Sequence, residues 1–218
     1  MPTENWRRLR DACVIAAAVH LIAGLAMALI LRHGLQSNPD LADRLRFLVE
    51  RRGLWTAAWL TWNVAALSIL WFFACVAEAR PCGLTRFALA LAAAGVAGDL
   101  SAETIEMALV PAFAAAGNAA ALQTADRAAV LLTGYLANGL YTAASLASLA
   151  ALWKDSAPLV RVSGVLVGIA GLWLSAAALA DSTWGMLASN VLLVPAILGW
   201  QLGRARDAHR RALAGPSR

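Results

Sequence analysis

Three carboxylates near the middle of the chain are the residues best suited to do chemistry. Asp99, Glu103 and Glu106 are spaced four and three residues apart. At about 100° per residue they share one helical face within an arc of about 60°. Each charge at the centre of a bilayer costs about 2.5–3.5 kcal/mol on insertion scales, so such residues normally face the interior of a helix bundle. The spacing therefore predicts a buried acidic site.

Depth in the membrane separates the three carboxylates. Counted from Arg86 at the inner surface with a rise of about 1.5 Å per residue, Asp99 lies about 20 Å deep, Glu103 about 26 Å and Glu106 about 30 Å. Asp99 is thus the deepest from either surface, and it is the strongest candidate for a functional group. For Glu106, near the outer interface, a solvated helix end is the alternative interpretation.

Polar and aromatic side chains on four other predicted spans lie near the same depth. We expect them to line a cavity that opens outward through Glu103 and Glu106. Each also has a structural interpretation: histidine can bond a backbone carbonyl, asparagine can join two helices, and tryptophan can pack in the core or at the interface. The additional site residues are His20, Trp62, Asn63, Asn138, Tyr141 and Asn190.

The first functional hypothesis is proton-coupled binding or transport of a small molecule or cation. A carboxyl group in apolar surroundings favours its neutral form, and a nearby histidine can exchange a proton with it. Asp99 would hold the proton or cation, Glu103 and Glu106 would form the outer funnel, and His20 would lead to the cytoplasm. The remaining substrate contacts would come from Trp62, Asn63, Asn138 and Asn190.

Two alternatives remain open at the level of sequence. An intramembrane enzyme would use Asp99 or Glu103 as base, Tyr141 as acid or oxyanion donor, and His20 as a further catalytic group on a lipid-soluble substrate. A structural subunit would use the polar layer to fix helix register. No metal or cofactor is predicted, because the single intramembrane histidine lacks a Glu-x-x-His partner and no nucleotide-binding fingerprint is present.

Membrane-spanning helices must position these residues. The 218 residues are 61% apolar and 14% charged, whereas soluble domains are about 45–50% apolar and about 25% charged. Stretches of about 20 apolar residues cross a hydrocarbon core of about 30 Å. We therefore predict an all-α, polytopic integral membrane helical bundle that forms one domain over 1–218. Its six transmembrane helices are expected at about 12–31, 53–77, 86–110, 128–153, 162–180 and 182–203.

Positive charges indicate the orientation. With both termini in the cytoplasm, twelve of the eighteen Lys and Arg residues fall in inner segments, including a basic cytoplasmic tail at 204–218. Five Arg residues in the first outer loop oppose this assignment. The run 12–31 is long enough to span, which favours an uncleaved helix over a signal peptide. We predict a bacterial-type inner membrane, with the basic charge serving anionic lipid and not nucleic acid.

Two further segments have a recognisable pattern. Residues 38–52 start with Asn38 as an N-cap and predict a short amphipathic helix in the first outer loop; a solvated extension of the second span is the alternative. In the fifth span, Gly164, Gly168 and Gly171 form a small-residue face that allows close helix approach. That face predicts either an internal contact or a homo-oligomer interface.

Overall fold

Helices account for nearly all of the structure. The computed structural model describes residues 2–214; it is 90% helical and has no strand in that range. The abundance of Ala and Leu, both strong helix formers, explains this local preference. The main helices are α1 (Pro2–Leu29), α2 (Leu41–Glu50), α3 (Arg52–Ala79), α4 (Gly83–Ala115), α5 (119–151), α6 (Pro158–Leu179) and α7 (Thr183–Ala214).

Five of these helices, α1, α3, α4, α6 and α7, are long and apolar enough to cross a membrane. They contain all or most of five of the six predicted spans. The fourth predicted span, 128–153, falls on α5, which is not among the five. The predicted tail is helical as far as Ala214, because α7 continues with Arg204, Asp207 and Ala208 buried against the protein. Residues 215–218, the end of that predicted tail, lie outside the described residues.

Two of the helices contain π-helical segments. In α4 the segment is Ile105–Leu109, and in α5 it is Leu131–Ala137. The third predicted span ends at residue 110, but α4 continues through Pro111 to Ala115. Pro111 lies in the first turn after the π segment, where a missing backbone N–H is tolerated.

The loop helix α2 exists, with different details from those predicted. Its N-cap is Asp40, which accepts a hydrogen bond from the Asp43 N–H at 3.0 Å. Asn38 instead lies before the helix and donates to the His33 carbonyl at 2.8 Å. The helix packs on the bundle through Leu48 and, unexpectedly, through Arg44, both of which are buried.

The six long helices form a ring in chain order. Each packs against the next, from α1 to α3, α4, α5, α6 and α7, and α7 packs back against α1. Each long helix begins at the end of the ring where its predecessor ends, so neighbouring helices are antiparallel and the ring has two ends. We call the end with segments 2–11, 80–82, 152–157 and 204–214 the tail end, and the end with segments 30–51, 116–118 and 180–182 the loop end.

The small-residue face of α6 is buried inside this ring. A Cβ atom on Gly164 would lie 2.9 Å from the side chain of Leu149, and one on Gly168 would lie 2.6 Å from Leu146. Gly171 faces Thr142 in the same way. Of the two interpretations that the sequence left open, the fold uses this face for the internal contact between α5 and α6.

Candidate functional site

The acidic cluster, defined as Asp99, Glu103 and Glu106, lies on the side of α4 that faces the protein interior. All three side chains are buried, and Glu103 is only 1% exposed. Asp99 and Glu103 belong to the α-helical part of α4, and Glu106 belongs to its π-helical segment. The shared helical face expected from the spacing therefore points inward.

Asp99 connects α4 to α5. The Thr133 hydroxyl donates a hydrogen bond to Asp99 Oδ1, and the Tyr141 hydroxyl donates to Oδ2 at 3.2 Å. Gly95 makes room for this arrangement, since a Cβ atom there would lie 2.8 Å from the Tyr141 ring. Tyr141 was predicted as a site residue from the sequence and Thr133 was not, because a threonine in an apolar helix more often bonds its own backbone.

Glu103 has no such partner. Its Oε2 atom is fully buried and accepts no hydrogen bond from the described residues. Glu103 lies one helical turn from Asp99, so two carboxyl groups share a small buried volume. A buried polar atom without a hydrogen bond costs about 1–3 kcal/mol, which calls for a proton, a water molecule or a ligand at this position.

A tryptophan row, defined as Trp55, Trp59 and Trp62, lies on α3, which packs against α4. The Trp55 Nε1–H donates to the Glu106 backbone carbonyl at 2.6 Å, which fixes the antiparallel register of the two helices. Counted along the two antiparallel helices from this hydrogen bond, Trp59 comes near the level of Glu103 and Trp62 near that of Asp99. The Nε1 atoms of both are buried and have no hydrogen-bond partner among the described residues.

These unpartnered groups are complementary in kind. Glu103 offers an acceptor, whereas Trp59 and Trp62 offer N–H donors and electron-rich ring faces. A ligand between α3 and α4 could therefore accept from the indoles and donate to, or carry positive charge beside, the carboxylate.

A buried ion pair closes the loop end beside Glu106. Arg44 of α2 contacts both carboxylate oxygens of Asp126 on α5 at 2.7 and 2.8 Å, and its Nε donates to the Gly34 carbonyl at 2.8 Å. The part of α5 that carries Asp126 packs against the π-helical segment that contains Glu106. This pair could not be predicted from the sequence, since its members are 82 positions apart.

Both π-helical segments contribute to this region. Glu106 belongs to the one in α4, and Thr133 belongs to the one in α5. Single π turns in α-helices occur frequently at functional sites, where the extra residue reorients a side chain. The presence of both π-helical segments in this region supports a functional site here, and a hydropathy profile does not reveal such segments.

Other predicted site residues have different surroundings. His20 is bonded through Nδ1 to the Ala16 carbonyl of its own helix at 2.6 Å, and no hydrogen bond within 2–214 links it to the acidic cluster. The Asn63 side chain is half-buried and forms no hydrogen bond with any described residue. These positions leave the predicted proton exit through His20 as an untested hypothesis.

The two remaining asparagines do not face the acidic cluster. The Asn138 amide donates to the Gly171 carbonyl at 2.7 Å and to Ser175 Oγ at 2.9 Å, so it joins α5 to α6. Asn190 is exposed and bonds the Met186 carbonyl of its own helix. Asn138 thus fits the interhelical role that the sequence left open, and Asn190 lies on the outer surface of the ring.

Across residues 2–214, no three His, Cys, Asp or Glu side chains lie close enough together to hold a metal ion. What the site does contain is a hydrogen-bonded aspartate, an unpartnered glutamate and two unpartnered indoles.

Comparison of the chain with protein-family models, with curated proteins and with solved structures finds no match in any of the three.

Proposed function

We propose that this chain is a six-span integral membrane protein that binds a small cation or cationic polar molecule at the acidic cluster and exchanges it for protons across the membrane. The observation that carries the proposal is the buried Glu103 carboxyl group with its unpartnered Oε2 atom. Such a group needs either a proton or a positively charged ligand, and an exchanger alternates between these two states.

The surroundings favour a cationic ligand. Asp99, one turn away, adds a second acidic group, and its hydroxyl partners Thr133 and Tyr141 hold it in place. Trp59 and Trp62 present aromatic surfaces at the same level, and cations are attracted to aromatic ring faces. Together these groups offer negative charge and aromatic ring faces to a small ammonium or alkali cation.

Membrane insertion is supported by the surface of the ring. Its outward side chains include large apolar residues such as Leu172, Val191 and Trp184, which water would not stabilise in this number. In this proposal α5, which corresponds to the fourth predicted span, brings the number of spans to six. Its 33 residues at about 1.5 Å each reach about 50 Å. The tail end would face the cytoplasm of an inner membrane, in line with the positive charges.

The test uses purified protein in liposomes that contain a pH-sensitive dye. Gradients of sodium, potassium or methylammonium are imposed across the membrane, and proton movement is followed by fluorescence. We expect at least one of these cations to drive proton flux in the wild type. Glu103→Gln should abolish that flux, because the amide can neither release a proton nor neutralise a cation.

Glu50→Gln is the matched control. Glu50 is exposed on α2, and it has no hydrogen bond to the described residues through its side chain. It should leave the flux unchanged. Wild-type flux that persists in a folded Glu103→Gln variant would contradict the proposal. Absence of flux with all three cations, combined with lower stability of the variant, would favour the structural role.

A second candidate function has one specific observation in its favour. The hydrogen bond from Tyr141 to Asp99 pairs a phenol with a carboxylate, which is the arrangement that acid–base catalysis of an isomerisation requires. This enzyme would act on a lipid-soluble substrate that enters from the bilayer. Chromatography of lipid extracts from cells that produce wild-type protein or Asp99→Asn tests it, since an isomerase would change the ratio of two species of equal mass.

A further inference from the structure

A cavity at the tail end is separate from the acidic cluster. It has a volume of about 700 Å³ and lies between α1, the beginning of α6 and the last part of α7. This size is within the range of about 300–1,000 Å³ that is usual for small-molecule sites. The cavity is open to the outside of the ring.

One part of the cavity wall is basic. Arg10, Arg206, His209 and Arg210 line it, together with one acidic residue, Asp207. Arg10 is paired with Asp11, and Arg210 with Asp207. Among the described residues, nothing forms an ion pair or hydrogen bond with the side chains of Arg206 or His209, and both are exposed. The net charge offered to a ligand is therefore positive.

Asp207 stabilises the wall and does not compete for the ligand. Its Oδ2 accepts the Ala157 N–H at 3.0 Å at the beginning of α6, and its Oδ1 accepts from Arg210. Both carboxylate oxygens are thus engaged by the protein. Since Asp207 already caps this helix end, recognition of a ligand must come from the arginine and histidine side chains.

The other part of the wall is apolar. Val14, Leu159 and Val160 line it, and Val14 and Leu159 are 48% and 60% exposed. Val14 belongs to the first apolar stretch of α1, whereas Arg10 lies one turn before Val14. The cavity therefore changes from basic to apolar near the level where the apolar stretch of α1 begins. This is the order of groups along a phospholipid, from headgroup to acyl chain.

We propose that this cavity is a binding site for an anionic phospholipid of the cytoplasmic leaflet, with the phosphate held by Arg206 and the acyl chains against Val14 and Leu159. The proposal rests on the membrane insertion and orientation proposed above. It is independent of cation exchange at the acidic cluster. Basic residues beside a spanning helix attract anionic headgroups, and the apolar wall adds a preference for an intact lipid over a free phosphate.

The test is native mass spectrometry of the detergent-purified full chain with added lipid. Phosphatidylglycerol and phosphatidylcholine with identical acyl chains are the probes. We expect the wild type to retain phosphatidylglycerol preferentially. Arg206→Gln should lower that retention about fivefold, because the lipid phosphate loses its direct contact with one positive charge of the cavity wall. The double variant Arg206→Gln with His209→Gln should lower it further.

Arg7→Gln is the matched control, because it removes the same charge at the same end of the ring. Arg7 is exposed and does not line the cavity. It should change retention less than twofold. Equal losses in Arg7→Gln and Arg206→Gln would overturn the proposal in favour of general charge attraction. An equal affinity for both lipids would also overturn it. Displacement of the lipid by millimolar inorganic phosphate would replace the lipid with a free anion as the ligand.

A parallel measurement separates failure of this proposal from failure of the membrane assignment. Cell membranes are washed with alkaline carbonate, which releases proteins that are not integrated. If the chain is released, the lipid site fails together with the proposed membrane insertion. If the chain remains in the membrane and shows no lipid preference, only the lipid site fails.

Discussion

Removal of the positive charge of Arg44 is the sharpest test of how the loop end is held together. The Arg44 and Asp126 side chains are each 7% exposed, and their nearest N and O atoms are 2.7 Å apart. Hydration therefore stabilises neither charge to any large extent. Arg44→Met keeps most of the side-chain volume but leaves the Asp126 carboxylate buried without a counter-ion. Removal of one partner from a buried ion pair typically costs about 3–5 kcal/mol.

The neighbourhood increases the expected effect. The segment that carries Asp126 packs against the segment that contains Glu106, so the loss of Arg44 leaves two buried carboxyl groups in one region without a cation. The Gly34 carbonyl also loses its hydrogen bond from Arg44 Nε. We therefore expect a loss of at least about 3 kcal/mol, which corresponds to a fall of about 6–12 °C in Tm for a chain of this length.

Thermal unfolding in detergent, followed by tryptophan fluorescence, measures the change. Arg46→Met is the matched control, since Arg46 pairs with Asp43 on the same helix with side chains 64% and 34% exposed. Exposed pairs contribute about 0–1 kcal/mol, so its Tm should hardly change. The double variant Arg44→Met with Asp126→Leu should recover much of the stability, because an apolar pair can replace a buried ion pair.

Equal Tm values for Arg44→Met and Arg46→Met would refute this reasoning. They would mean that solvent reaches the Arg44–Asp126 pair. A double variant less stable than Arg44→Met alone would also refute it, because the isolated charge of Asp126 would then not be the source of the loss.

One labelling experiment and two substitutions test other parts of the structure. The hydrogen bond from the Thr85 N–H to Cys82 lowers the pKa of that thiol, so its thiolate fraction at pH 7 should exceed that of a free cysteine. An impermeant maleimide should therefore label Cys82 before the buried Cys13 and Cys75, at a rate that rises with pH. In the orientation proposed above, it should do so from the cytoplasmic side only. Gly168→Leu should clash with Leu146 and lower Tm by several degrees. Trp55→Phe should cost about 1 kcal/mol in the same unfolding assay through loss of one indole hydrogen bond.

The helical content and most helix positions could be predicted from the sequence. Charge-free stretches of about 20 residues define where apolar helices lie, and they are a property of the local sequence alone. The inward direction of the acidic cluster followed from the same kind of reasoning. Three carboxylates on one face of an apolar helix are stable only where other helices cover them.

Pairing between helices could not be predicted in this way. The contact between Arg44 and Asp126 and that between Thr133 and Asp99 depend on which helices are neighbours and in what register. Depth along a helix is also only one coordinate. Asn190 has a depth similar to that of the site, yet its rotation about the helix axis places it outside the ring.

The ring order of the helices has a consequence for assembly. Because each long helix packs against its predecessor, each one can dock as soon as it is synthesised, and few contacts have to wait for distant parts of the chain. Among the contacts between the long helices, the one between α7 and α1 joins the segments farthest apart in sequence. The acidic cluster and the tryptophan row, built from α3, α4 and α5, can therefore form before α7 has been synthesised. Closure by α7 is the step that completes the bundle.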